Sequence, residues 1–255
     1  MAHAAEISED TAGLSQTVKA QLRLRELIVG GVVKPGQRIA ELALVERIGV
    51  SRTPIRMALV RLQEEGLLEA LPGGGFMVKD FSEEDIRDAI ELRGTLEGLA
   101  ARLAAERGVS AVLIAEARAC LERIDALLAE PELTDATFTV YVEQNGRLHD
   151  LLAEMSGSTL VQRQLERVKT LPFASPNGFV FASALSPRSR DSLVVAQAQH
   201  HALLDAVVRH EGTRAEAIMR EHARNAHQNF VEALQSHKSL QRIPGANLIR
   251  KRAHR

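Results

Sequence analysis

Apolar residues recur at intervals of three and four along most of this chain, the spacing that places them on one face of an α-helix. The longest stretch begins after Ser82, where three acidic residues favour the positive end of a helix dipole, and it ends at Gly108. The same pattern predicts further helices at about 110–129, 135–155, 158–170, 188–210 and 213–238. We therefore expect an antiparallel all-α bundle over residues 81–240.

Two short segments depart from this helical pattern. Gly178-Phe179-Val180-Phe181 is the one strand candidate after Val78. Residues 241–255 are charged and lack an apolar period, which predicts a flexible tail.

The first 80 residues have shorter elements, with glycine and proline at their borders. A turn of Pro72-Gly73-Gly74-Gly75 separates two short apolar runs and predicts a hairpin. Gly49 suits the left-handed position that ends a helix, and Ser51 suits the N-cap of the next one. Three helices are predicted at 14–29, 41–48 and 52–65, followed by a hairpin of 67–70 with 76–78. Residues 1–80 are therefore expected to form a winged helix-turn-helix domain.

The third of these helices has the polar groups that a DNA-reading helix needs at its start. Arg52, Thr53 and Arg56 share one side of the helix, whereas the apolar residues face the other. A short helix, a tight turn and a basic third helix is the geometry that enters a major groove. The alternative is a three-helix packing unit with solvated arginines. The candidate DNA contacts are Arg38, Ser51, Arg52, Thr53, Arg56, Gly73, Gly74 and Gly75.

Composition excludes several classes of protein. The chain has 255 residues, 45% of them apolar, and a net charge of −1, so any basic surface must be local. No apolar run approaches the roughly 20 residues that span a bilayer, and the acidic N-terminal stretch has no apolar signal core. The lone Cys120 permits no internal disulfide and suits a reducing cytoplasm. We expect a cytoplasmic protein with no membrane partner.

A metal site is one interpretation of four residues in the helical part. Asn145 and His149 lie four apart on one predicted helix, hence on one face, and His200 and His222 lie on two later helices. One oxygen and three imidazoles from three helices could hold a divalent ion. A histidine is more often solvated or part of a core than a ligand, and His201 is an obvious rival to His200.

Two further features suggest a ligand pocket. Arg93 lies on an otherwise apolar or small helix face, where its guanidinium could bind a carboxylate or form a structural ion pair with Glu97. Residues 171–179 interrupt the helical pattern and are either a surface loop or a lid. Phe173 and Phe179 in this segment are candidates for contact with a flat organic ligand.

The N-terminal residues resemble the winged helix-turn-helix of GntR-family transcriptional regulators. Separated blocks occur in the family's order and spacing. Met57 stands where an acidic residue is common. The blocks include Pro35-Gly36, Val50-Ser51-Arg52-Thr53-Pro54-Ile55-Arg56, Glu65-Gly66-Leu67-Leu68 and Gly75-Phe76-Met77-Val78.

The helical part is similar to the FCD effector domain of the FadR subfamily. In that domain an Asp or Asn lies four residues before a His, and two later histidines flank a helical hairpin that contains an alanine and a methionine. Ala215 and Met219 match these two residues. This alignment selects His200 over His201 as the first of the two later histidines. Asn145 replaces the more usual aspartate. Arg93 and Glu97 fit the domain's Arg…Glu pattern, and the segment 171–179 is similar to one in vanillate-responsive regulators.

These resemblances imply a ligand-responsive transcriptional regulator rather than an enzyme. They imply a homodimer that binds operator DNA and a divalent metal (zinc or nickel). They also imply a small organic acid, with aromatic acids among the candidates, that releases a repressor from its operator. Two alternatives remain: a metalloenzyme that uses the histidines, against which no HExxH string is present, and a constitutive DNA-binding protein with a structural metal.

Overall fold

The protein is mainly α-helical and divides into two compact units. This computed structural model describes residues 15–183 and 189–250. The first unit runs to Ser82 and includes the chain again from Gly245, and the second is Glu83–Pro244. Two predicted helices start outside the described residues, at Leu14 and at residue 188. The same holds for residues 251–255 of the predicted tail.

The first unit is a helix-turn-helix with a two-stranded wing. Its side-chain core includes Leu24, Ile28, Ile55 and Leu59, all buried. Gly49 ends the second helix in the left-handed conformation (φ 75°), as its position predicted. The elements are α1 (Gln16–Val29), α2 (Glu41–Ile48), α3 (Arg52–Glu64), β1 (Leu68–Ala70) and β2 (Phe76–Val78), with the strands antiparallel and Leu68 opposite Val78.

Residues 245–250 are a structured part of this first unit, which differs from the expected tail. Phe81 donates its amide hydrogen to the Leu248 carbonyl at 2.8 Å and accepts one from Arg250 at 2.8 Å. Asn247 Nδ2 donates to the Ile28 carbonyl at the end of α1, and the Arg250 guanidinium pairs with Asp80. The segment carries a single 3₁₀ turn, Ala246–Leu248. It is too short to show a period, so the sequence pattern could not reveal it.

This C-terminal segment should contribute to the stability of the first unit. Leu248 is 1% exposed, and removing a buried leucine side chain typically costs about 2–5 kcal/mol. We expect Leu248→Ala to lower the unfolding free energy of this unit within that range, measured by urea denaturation. Leu42→Ala is the matched control because Leu42 is 60% exposed. Equal losses in the two variants would contradict the assignment.

The second unit is all-helical in its described residues. Ser110, Thr134 and Ser158 cap three of its helices through their side chains. The predicted strand at 178–181 is wrong, because Val180 begins a single helical turn instead. The helices are α4 (Glu83–Arg107), α5 (Ala111–Leu128), α6 (Asp135–Met155), α7 (Thr159–Thr170), α8 (Val180–Ser183), α9 (Ser189–Val208), α10 (Gly212–Leu234) and α11 (His237–Leu240).

Helices α4 and α10 approach each other closely through small residues. A Cβ placed on Gly94 would lie 2.5 Å from the Cβ of Ala223, and one placed on Gly98 would lie 3.2 Å from the Glu216 carbonyl oxygen. Glycine therefore lets the two backbones meet at this contact. Arg93 directly precedes Gly94 on α4, and His222 directly precedes Ala223 on α10. The same helix contact therefore places both side chains in the interior.

Candidate DNA interface and candidate metal centre

The start of α3 presents exposed polar groups, as the sequence predicted. Ser51 precedes the helix in an extended conformation, but its hydroxyl makes no capping hydrogen bond, which corrects its expected role as a side-chain cap. Arg52 and Thr53 are exposed and have no side-chain partner among the described residues. Arg56 is also exposed, with its Nε 2.9 Å from Glu41 Oε2 on α2. An exposed pair of this kind is worth little and can exchange for another anion.

The tip of the wing is a tight turn, closed by a hydrogen bond from the Gly74 amide to the Leu71 carbonyl at 2.9 Å. Gly74 and Gly75 have φ values of 85° and 90°, which glycine adopts without strain. The Arg38 side chain donates to the Gly74 carbonyl at 2.9 Å, so Arg38 supports the turn. Arg47, in the last turn of α2, is a further exposed arginine that the sequence reasoning did not single out.

In the second unit three buried histidines converge from three helices. Ligating nitrogens of His149 on α6, His200 on α9 and His222 on α10 all lie within 4.8 Å of one another. The Nε2 atoms of His200 and His222 are 3.2 Å apart. His149 Nε2 is buried and has no hydrogen-bond partner among the described residues. In contrast, His201 is exposed and contacts Asp125 at 3.0 Å, outside this cluster.

The other ring nitrogen of each histidine has a partner that sets its tautomer. His149 Nδ1 is 2.7 Å from a Glu97 carboxylate oxygen. His200 Nδ1 lies 3.2 Å from Gln197 Oε1, and His222 Nδ1 lies 3.2 Å from Gln199 Oε1. Because all three partners accept, each Nδ1 donates, which leaves Nε2 as the nitrogen available to a metal. His149 Nε2 has no partner among the described residues and the other two Nε2 atoms lie close together, so the arrangement fits a bound cation.

The electrostatics of the cluster favour the neutral forms of His200 and His222. Burial, and then the neighbouring imidazoles, lower the pKa of His200 well below its usual value. The same two causes, together with Arg93, lower the pKa of His222. Burial alone would raise the pKa of Glu97, but Arg93 and His149 outweigh it and hold that pKa below its usual range. Neutral imidazoles with a carboxylate behind one of them are the ligand form that divalent metals require.

Asn145 offers an amide oxygen from the same face of α6 as His149. Its Nδ2 donates to Asn177 Oδ1 at 2.8 Å, and Asn177 Nδ2 donates to the Val142 carbonyl at 2.9 Å. This second bond fixes the orientation of the Asn177 amide, which in turn fixes that of Asn145. Asn145 Oδ1 is left buried with no partner among the described residues. Sequence reasoning missed Asn177, because nothing in the chain near Asn145 indicates which loop residue reaches it.

Arg93 forms the structural ion pair that was one of its two interpretations. Its guanidinium donates to Glu97 at 2.7 Å, and the two side chains are 1% and 2% exposed. Arg93 Nε is buried without a partner among the described residues, so the group keeps one donor.

A cavity of about 400 Å³, including its opening, adjoins these groups. Arg93, Asn145 and His222 line one part of it, and Pro176 and Val180 line another. Phe173 and Phe179 are not among its lining residues: their rings are buried and stacked 6.4 Å apart, and Phe179 also packs on Phe230. They anchor the segment that supplies Pro176 and Val180. His149 and His200 line a second cavity of about 360 Å³ that is otherwise mainly apolar.

Comparison with known proteins identifies both units. The family model "Bacterial regulatory proteins, gntR family" matches residues 14–78, and the "FCD domain" model matches residues 88–225. The chain belongs to the GntR family of transcriptional regulators, in the group with an FCD domain. This GntR–FCD regulator therefore binds DNA through its first unit, and its second unit is an effector domain. Among its described helices, none has the length and apolarity needed to cross a membrane.

Curated relatives and solved structures agree with this assignment. The regulator is 31% identical over 149 residues to "Uncharacterized HTH-type transcriptional regulator YdhC" of Bacillus subtilis, covering 58% of this chain and 64% of that protein. It is 28% identical over 215 residues to "HTH-type transcriptional regulator LutR" of the same organism, covering 78% and 94%. The structure of "E. coli McbR/YncC" has the same fold, with a TM-score of 0.59, 21% identity and coverage of 87% and 98%. The narrower resemblance to vanillate-responsive regulators finds no support in these comparisons.

Proposed function

We propose that this GntR–FCD regulator is a homodimeric repressor that leaves its operator when a small organic acid binds in the cavity beside His222. The observation that carries the proposal is the convergence of three buried histidines, one of which, His222, also lines a cavity with Arg93 and Asn145. A pseudo-palindromic operator presents two half-sites, so a dimer is the state that can occupy both.

In the first unit, Arg52 and Arg56 contact base edges or the phosphates next to them. Ser51 and Thr53 bind phosphate, which the free Ser51 hydroxyl supports. The Gly73–Gly75 turn lies along the backbone nearby, and Arg38 acts there by holding the turn as well as by its charge. Arg56 must exchange its bond to Glu41 for the DNA contact.

Substitution of the two arginines tests this assignment. We expect Arg52→Ala to weaken operator binding by about 1–3 kcal/mol and to relax sequence specificity, because a bidentate arginine–guanine contact is lost. Arg56→Ala should cost less, because the Arg56–Glu41 pair no longer has to be broken. Fluorescence anisotropy with the DNA upstream of the regulator's own gene measures both, with the exposed Arg118→Ala of the second unit as control. Unchanged affinity in both variants would refute the assignment.

In the second unit, His149, His200, His222 and Asn145 are the ligands for one divalent ion, zinc or nickel. The metal supplies positive charge and open coordination positions for an anion. The Arg93 Nε donor is available to the same anion, since a carboxylate taken from water needs compensating charge. The body of the acid lies against Pro176 and Val180, in the segment that Phe173 and Phe179 anchor.

An operator-release assay decides between regulation and constitutive binding. By linkage, an acid that releases DNA must bind the DNA-free protein more tightly by the same factor. The metal-loaded protein is titrated with small acids while bound to operator DNA. Release by at least one acid supports the proposal, whereas tight operator binding that no acid and no metal chelation alters would support the constitutive alternative.

A further inference from the structure

The donors of the candidate metal centre are all electrically neutral. A histidine binds a metal through the lone pair of a neutral imidazole, and Asn145 contributes an amide oxygen. Glu97 is the nearby carboxylate, but it bonds to the Arg93 guanidinium and to His149, so its charge is cancelled by Arg93. The remaining polar side chains that line the cavity are uncharged: Tyr141, Ser192, Asn225 and Asn229.

The Asn145–Asn177 pair preserves this neutrality. Asn177 accepts from Asn145 and donates to the Val142 carbonyl, so it can accept but not donate toward position 145. A carboxylate at 145 would meet the Asn177 oxygen instead of a donor. Gly146 supports the arrangement, because a Cβ there would lie 3.2 Å from Asn177 Nδ2. Asn177 is therefore a positioning residue for a neutral ligand.

A divalent ion held by neutral donors keeps its two positive charges. The site is buried, where an uncompensated charge is costly and an opposite charge is strongly attracted. We propose that the effector is a small dianionic acid of the dicarboxylate class, and that Asn145, held by Asn177, sets this charge requirement. The inference rests on the metal site proposed above.

The cavity lining favours a dicarboxylate over an inorganic dianion. Pro176, Val180 and Leu193 provide an apolar wall that suits a short carbon chain. One carboxylate binds the metal, and the second meets the unpartnered Arg93 Nε and the cavity's side-chain amides. Inorganic phosphate carries the same charge but has no apolar part to bury against that wall.

Calorimetry on the full chain loaded with zinc tests the charge requirement. The probes are malonate, succinate and glutarate, the monocarboxylates propionate, butyrate and benzoate, and inorganic phosphate. We expect at least one dicarboxylate to bind about tenfold or more tightly than every monocarboxylate and than phosphate. Equal binding of the two classes of acid, or tighter binding of benzoate, overturns the inference, and preferential binding of phosphate overturns the assignment to dicarboxylates.

Two substitutions of Asn145 distinguish the effect of charge at this position from its role as a metal ligand. Asn145→Asp should reduce the preference for dicarboxylates by about tenfold while the protein still binds zinc, because the carboxylate cancels one charge of the metal. Asn145→Ala adds no charge, so it should weaken zinc binding but keep the preference. Gln228→Glu makes the same charge change as Asn145→Asp at an exposed position of α10 and should alter neither.

The outcomes distinguish this inference from the proposed metal site. If Asn145→Asp keeps the wild-type preference, the charge requirement is wrong although the metal site stands. If the wild-type protein binds no divalent metal, both fail. If Asn177→Ala leaves the zinc affinity unchanged, Asn177 does not position the ligand.

Discussion

The His149→Ala/His200→Ala variant is expected to lose its divalent metal and the thermal stabilisation that the metal provides. A ligand present at one hundred times its dissociation constant stabilises the folded state by about 2.7 kcal/mol. For a chain of this size that corresponds to about 5–10 °C in melting temperature. Wild-type protein should show this rise on addition of zinc, whereas the variant should show none, because two of three converging Nε2 donors are gone.

A control with the same number of histidines removed makes this result specific. His201 and His237 are exposed and lie outside the cluster, so His201→Ala/His237→Ala should keep both the metal and the rise in melting temperature. Retained operator binding and helical circular dichroism establish that each variant folds. A double variant that still holds one zinc ion per chain would refute the centre. If the double variant loses zinc but still binds the effector and releases operator DNA, Arg93 recognises the effector without the metal.

Local patterns were enough to predict most of the fold. The glycine that ends α2, the basic start of α3 and the Pro-Gly-Gly-Gly turn are each determined by residues close in sequence. The segment 245–250 was missed for the opposite reason. Its order depends on Ile28, Asp80 and Phe81, which are distant along the chain, and on backbone hydrogen bonds that no side-chain pattern records.

The sequence predicts which residues of the candidate site share a helix face, but not which residues orient them. His149 follows Asn145 by one helical turn, so their shared face could be deduced. Gln197 lies one turn before His200 and could have been found in the same way. Asn177 could not, because it reaches Asn145 from a loop whose path depends on tertiary packing. Aromatic residues suit both ligand pockets and hydrophobic cores, and sequence alone does not distinguish these two environments. The sequence therefore predicts Phe173 and Phe179 at the ligand, whereas in the structure both rings are buried.

The Gly94→Ala variant is expected to be destabilised although alanine favours helices. The added methyl would lie 2.5 Å from the Ala223 Cβ, so α4 and α10 must move apart. Overpacking of this kind typically costs about 1–3 kcal/mol, and the gain of about 1 kcal/mol in helix propensity only partly offsets it. Because Arg93 and His222 are the chain neighbours of the contact, zinc affinity should fall together with the unfolding free energy, both measured on the same preparation.

Moving the methyl group from one helix to the other provides the decisive control. In Gly94→Ala/Ala223→Gly the clash is removed, so the double variant should be more stable than the sum of the two single losses predicts, and it should regain zinc affinity. Gly73→Ala controls for the general effect of replacing glycine, because nothing lies within 4 Å of a Cβ at that position. Additive losses in the cycle would mean that the helices do not meet at Gly94. A restored fold without restored zinc binding would mean that the contact supports the core but does not place His222.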